Sequence, residues 1–151
     1  MPTRPPRRER KASRPPDPSS LPLTAPRGVL VVEPDPDLQH KFARWLTVAG
    51  NRVVGTSSGD GALALAQHWP VDLAFVAEDL PGMDGLEVVR RLLALRASTR
   101  VVLLSTEDGN EIQQAARLAG ARACARKPRR GDRLIELIVR LDDEEPVAAA
   151  E

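Results

Sequence analysis

Four residues able to carry charge or hydrogen-bonding chemistry stand at or just past the ends of short apolar runs. Glu33 follows Val29–Val32, Asp79 lies just beyond Asp72–Ala77, Ser105 closes Arg100–Ser105, and Lys127 lies just beyond Ala121–Ala125. Carboxylates are the ligands that a hard cation such as Mg²⁺ takes, in a near-octahedral shell of oxygens. Covalent chemistry needs a nucleophile as well. The third run ends on Ala77, which has no nucleophilic atom, and Pro34 beside Glu33 brings no side-chain oxygen. The ends of the runs thus offer carboxylates at Glu33 and Asp79, a hydroxyl at Ser105 and an ammonium at Lys127.

The elements that must position these residues alternate five times along the chain. The sequence predicts strands over 29–32, 52–56, 72–77, 100–105 and 121–125, and helices over about 36–49, 59–68, 85–95, 109–118 and 131–141. Asp35-Pro36 reads as an N-cap followed by a first-turn proline. Gly50 and Gly120 are placed to end the first and fourth helices. Strands apolar on both faces, separated by helices, indicate a parallel sheet covered on each side. Right-handed crossovers make this a doubly wound α/β domain, a flavodoxin-like (βα)₅ sheet of order 2-1-3-4-5. Such a fold gathers Glu33, Ala77, Ser105 and Lys127 at the carboxyl ends of the strands.

The stretch Val71 to Gly85, with Leu80-Pro-Gly-Met-Asp-Gly85, resembles the active-site strand and loop of response-regulator receiver domains. The buried first strand ending in an acid and Lys127-Pro128 after the fifth strand extend the resemblance over about 28–141. In that family the phosphoryl-accepting aspartate precedes the loop proline by four residues, which here falls on Ala77. The family's acidic pair aligns with Glu33 and Pro34, its phosphoryl-binding Ser/Thr with Ser105, and the lysine that pairs with the same phosphoryl group with Lys127. The family's metal site would also draw on the backbone carbonyl of Asp79. The resemblance therefore implies a degenerate phosphorylation site made of Glu33, Pro34, Ala77, Asp79, Ser105 and Lys127, with no metal and no cofactor bound. An ion pair from Lys127 to Glu33 is expected to hold one conformation. Cys124 stands where active receivers carry a rotating aromatic ring.

Charge is unevenly spread along the 151 residues, although the net value is only +1. Residues 1–27 hold seven Lys/Arg against two acids and eight of the fourteen prolines, whereas residues 28–151 hold fifteen Lys/Arg against nineteen acids. The arm is expected to be disordered, because Pro5-Pro6, Pro15-Pro16 and Pro18 disfavour helix and sheet. Residues 142–151, opening with Asp142-Asp-Glu-Glu145, read as a short acidic tail. Aromatics are 3% of the chain, so Leu, Val and Ala must form the core. A single cysteine permits no internal disulfide. No apolar run approaches the ~20 residues needed to cross a bilayer, so membrane insertion is not expected and the location is expected to be cytoplasmic.

A second basic group, Arg122, Arg126, Lys127, Arg129, Arg130 and Arg133, surrounds the fifth strand and the start of the last helix. In receiver domains the surface of the fourth and fifth helices and fifth strand is the usual partner face. An acidic patch on a protein partner would complement this group. His40 and His68 have no metal-ligand spacing, and Trp45 and Trp69 read as packing residues. With the acceptor position held by Ala77, the resemblance implies a non-enzymatic, phosphorylation-independent signalling module of a bacterial two-component-type pathway. Its partner would be a histidine kinase or another signalling protein, with a homodimer as a further case. Two alternatives stay open: phosphoryl acceptance on an unusual acid such as Asp79, and nucleic-acid binding through Arg4, Arg7, Arg8, Arg10, Lys11 and Arg14 of the arm.

Overall fold

The computed structural model describes residues 27–107 and 109–149, with residues 144–149 described by backbone alone. The expected disorder of the arm and its basic residues up to Arg14 lie outside the described residues. The elements run β1 (Gly28–Val32), α1 (Pro36–Val48), β2 (Arg52–Thr56), α2 (Gly59–His68) and β3 (Leu73–Ala77). They continue with α3 (Gly85–Leu95), β4 (Arg100–Ser105), α4 (Asn110–Ala119), β5 (Ala123–Arg126) and α5 (Gly131–Ala149). Every strand pair is parallel, and the sheet order is β2-β1-β3-β4-β5, as the alternation of buried runs predicts.

The period of two along each strand divides the core into two layers. Leu30, Val32, Ala74, Val76, Val101 and Leu103 face α2, α3 and α4, meeting Ala62, Val88, Leu92 and Ile112. Val29, Val31, Leu73, Phe75, Val102 and Leu104 face α1 and α5, meeting Phe42, Leu46, Leu134 and Leu141. β1 and β3 are buried along their whole length, whereas β2 and β5 are half-exposed. These two are the edge strands, so only one side of each ladder is covered. Each fully buried Leu or Phe side chain contributes about 1.5–3 kcal/mol of transfer free energy.

Helix starts follow local hydrogen bonding. Asp35 accepts from the Asp37 N–H, Ser58 from the Gly61 N–H and Asp84 from the Glu87 N–H, satisfying amides that the first helical turn leaves without partners. α4 ends at Gly120, whose φ of 106° lies in the left-handed region where a side chain is strained.

Most boundaries fall within one residue of the sequence-based expectation, and two differ by more. β5 begins at Ala123 because the Ala121 N–H closes α4 on the Ala116 carbonyl and the Arg122 N–H bonds Val101. α2 ends at His68 as expected, with Trp69 as its C-cap in extended conformation just before Pro70. α5 continues past Leu141 to Ala149, where an acidic tail was expected. Asp142 is drawn into the domain by Arg27, which donates at 3.2 and 3.0 Å, and by Arg100 at 3.3 Å. The first residue of the described chain is thus tied to the last helix, at the end of the sheet opposite Lys127. Among the described residues, no helix is long and apolar enough to cross a membrane.

Candidate functional site at the carboxyl ends of the strands

Glu33 leaves β1 with its side chain only 2% exposed. Its backbone is fixed on both sides: the N–H donates to Thr56 O at 3.0 Å, and its carbonyl accepts from Gln39 Nε2 at 3.0 Å. The Asp35 N–H donates to Glu33 Oε2 at 3.1 Å, across Pro34. Burying a carboxylate is costly unless an opposite charge meets it. Lys127 supplies that charge, with Nζ 3.1 Å from Oε1 and 3.3 Å from Oε2. Oε1 has no hydrogen-bond partner, so its contact with the ammonium is coulombic and misaligned for a hydrogen bond.

The same ammonium also lies 3.3 Å from Asp79 Oδ1. Lys127 is 13% exposed at its side chain and Asp79 is 68% exposed, so the ion bridges a buried acid to a surface one. The Lys127 N–H donates to Ser105 O at 2.9 Å, which seats the lysine directly after the β4–β5 ladder.

At the end of β4, the buried Ser105 hydroxyl donates to Glu78 Oε1 at 2.7 Å and accepts from the Glu107 N–H at 2.9 Å. Glu78 is held by its own backbone, donating to Leu104 O at 2.8 Å and accepting from the Gly85 N–H at 2.9 Å. Ala77, fully buried, ends β3 opposite Leu104 of β4. The carboxyl ends therefore carry two closed polar circuits, Glu33–Lys127–Asp79 and Ser105–Glu78, flanking a methyl group. The hydroxyl and the ammonium, the two groups suited to an incoming anion, already hold carboxylates of this chain.

Sequence reading brought Glu33 and Lys127 together; it left out the Glu78 contact to Ser105 and the Asp79 contact to Lys127. Both acids sit in the β3–α3 loop, where no periodicity fixes the direction of a side chain. Pro34 is half-buried and contributes only its ring. Cys124 is half-buried against the α2–α3–α4 layer, and its carbonyl accepts from Gln113 Nε2 at 3.1 Å. His40 and His68 are exposed.

The basic group around β5 does not form one surface. Arg126, Lys127 and Arg129 line a groove together with Lys41 and Trp45 of α1, whereas Arg122 lines a separate depression with Arg117 of α4. Arg130, just before α5, and Arg133, in its first turn, turn to acids of that helix. Arg130 makes a two-pronged bond to Asp132, and Arg133 lies 3.9 Å from Glu136. The hydrogen bond from Arg130 holds the Asp132 carboxyl below its ordinary pKa and raises that of the guanidinium.

The residues do not fit a divalent cation. Pro34 and Ala77 offer no side-chain oxygen, and the Lys127 ammonium bridges Glu33 and Asp79. Among the described residues, no group of three or more His, Cys, Asp or Glu is arranged to hold a metal.

The family described as response regulator receiver domain matches residues 29–139. A cyclic di-GMP phosphodiesterase of Thermotoga maritima is 34% identical over 100 residues, covering 66% of this chain and 27% of that protein. The transcriptional regulatory protein KdpE of Mycobacterium tuberculosis is 33% identical over 100 residues, covering 66% of this chain and 44% of that protein. The chain thus spans less than half the length of these two relatives. Among solved structures, the chemotaxis protein CheY4 of Vibrio cholerae superposes with a TM-score of 0.73 at 27% identity, covering 77% of this chain and 98% of that one. A receiver domain protein from Methanospirillum hungatei, 24% identical, shares the fold with a TM-score of 0.73 over 80% of this chain and 98% of its own.

Proposed function

This chain belongs to the response regulator receiver domain family, and we propose that it is a receiver whose signalling no longer depends on phosphorylation. The observation that carries this reading is the bridge from Lys127 to Glu33 and Asp79 beside a buried Ala77. Where the family places a nucleophile there is a methyl group, and a methyl group forms no acyl phosphate. The groups that would meet a phosphoryl oxygen are already neutralised from within. A population of conformations that cannot be shifted by phosphorylation must be set by sequence or by a bound partner. The domain then works without catalysis, by protein–protein contact in a two-component-type pathway, and the basic residues Arg122, Arg126, Arg129, Arg130 and Arg133 are its proposed partner-facing set. Their division between two depressions and the α5 start favours the groove at Arg126 and Arg129 as the contact centre.

Beryllofluoride with Mg²⁺ tests this reading by mimicking an aspartyl phosphate. The ¹H–¹⁵N spectrum of the chain is expected to be unchanged at millimolar beryllofluoride. Saturable shifts of the Ala77, Glu78, Ser105 and Lys127 amides would contradict the reading.

A further inference from the structure

We infer that the groove between α1 and the β5–α5 connection binds an acidic segment of a protein partner, with one apolar side chain of that segment seated on Trp45. This deepens the reading above by naming the place and chemistry of the partner contact. The groove encloses about 710 Å³, within the range of roughly 300–1,000 Å³ typical of ligand-binding pockets.

Its lining has one sign of charge. Among the described residues, Lys41, Arg126, Lys127 and Arg129 contribute four cations to the lining and no acid lines it. Lys41 and Arg129 are exposed and, unlike Arg130 and Arg133, form no ion pair with an acid among the described residues. Cations left facing solvent around a concave surface concentrate anionic partners and steer them in.

The floor is apolar. Leu38 and Trp45 are half-buried and pack against the α1–α5 layer of the core, and the indole lies against Gly131. A tryptophan fixed by its neighbours in this way offers a large surface at little cost in conformational entropy, the property of residues that anchor interfaces. Cations around an apolar floor match a segment that alternates carboxylates with an aliphatic or aromatic side chain. A free inorganic anion would use the rim and leave the floor in water.

The groove also touches the degenerate site. Lys127 lies in its wall while its ammonium bridges Glu33 and Asp79, so a carboxylate entering the groove competes with the exposed Asp79 for the same charge. Partner binding would thereby act on the circuit that has replaced the phosphoryl site.

The test uses the full chain and fluorescently labelled synthetic dodecapeptides. One is rich in Glu and Asp around a central leucine. A second has serine for the leucine, and a third has Gln and Asn for the acids. The acidic leucine peptide is expected to bind and to weaken with added salt. The serine peptide is expected to bind about threefold or more weakly, and the neutral peptide not measurably. Lys41→Glu with Arg129→Glu should weaken binding at least about tenfold, while the charge-matched pair Arg52→Glu with Arg117→Glu changes it less than about threefold. The basic arm is common to all three proteins, so it cannot produce that difference. Absence of binding, equal loss in both double variants, or tighter groove-dependent binding of a single-stranded oligonucleotide would overturn the proposal. Each sample is also weighed by intact mass after acetyl phosphate. A phosphoryl gain there would strike the phosphorylation-independent reading alone, whatever the peptides do.

Discussion

Lys127→Ala is expected to destabilise the domain by about 3 kcal/mol, in the range found when one partner of a buried ion pair is removed. The cost arises from what is left behind. Glu33 is 2% exposed at its side chain, and its Oε1 has no hydrogen bond, so without the ammonium that oxygen faces neither water nor a donor. The remaining support is the single Asp35 N–H on Oε2. Lys127 is 13% exposed, which allows some solvent to enter and keeps the loss toward the lower end of the range. Equilibrium urea unfolding measures it directly. The double variant Glu33→Gln with Lys127→Met should recover most of the loss, to within about 1 kcal/mol of the parent, because no buried charge then remains. If Lys127→Ala unfolds at the parent's midpoint, the ion pair does not hold this site together.

Gly85→Ala is expected to cost a similar amount, about 3 kcal/mol, for a steric reason. A Cβ there would stand 2.3 Å from the Ala77 carbonyl oxygen and 2.8 Å from Glu78 Cα, both backbone atoms at the end of a fully buried strand. Neither can swing aside as a side chain could. The Gly85 N–H also holds the Glu78 carbonyl at 2.9 Å, so separating the two segments breaks that bond and disturbs the Glu78–Ser105 contact. Gly109→Ala is the matched control: nothing lies within 4 Å of its Cβ, and its φ of 172° is extended backbone. That variant should fall within about 0.5 kcal/mol of the parent. Thermal and urea unfolding of the pair, measured side by side, check the contrast. Equal stabilities would mean that the β3–α3 connection yields more easily than its geometry implies.

Much of the fold was legible because the physics behind it is periodic. Short continuous apolar runs such as Val29–Val32 and Leu73–Val76, alternating with amphipathic helices, read as central parallel strands, and Asp35-Pro36 and Gly120 mark helix ends by their backbone chemistry. The course of α5 beyond Leu141 was not legible. It depends on Arg27 and Arg100, remote in sequence, reaching Asp142.

The site divides in the same way. Glu33 and Lys127 each follow directly from a strand end, so their meeting could be reasoned from topology. Glu78 and Asp79 sit in a loop whose turn sends one to Ser105 and the other to Lys127, a choice that residue type does not encode. The run of arginines from Arg122 to Arg133 was conspicuous in sequence, yet strand pleat and helix phase separate it. The groove was hidden because half of it belongs to α1.

The most direct measurement of the central claim is phosphoryl incorporation. The full chain is incubated with Mg²⁺ and acetyl phosphate, and separately with a phosphorylated histidine kinase, then quenched in acid and weighed intact. An unchanged mass under both conditions is the predicted result. A mass gain of one phosphoryl group that survives acid and is released by hydroxylamine would show an acyl phosphate, on Asp79 or another acid, and would contradict the account.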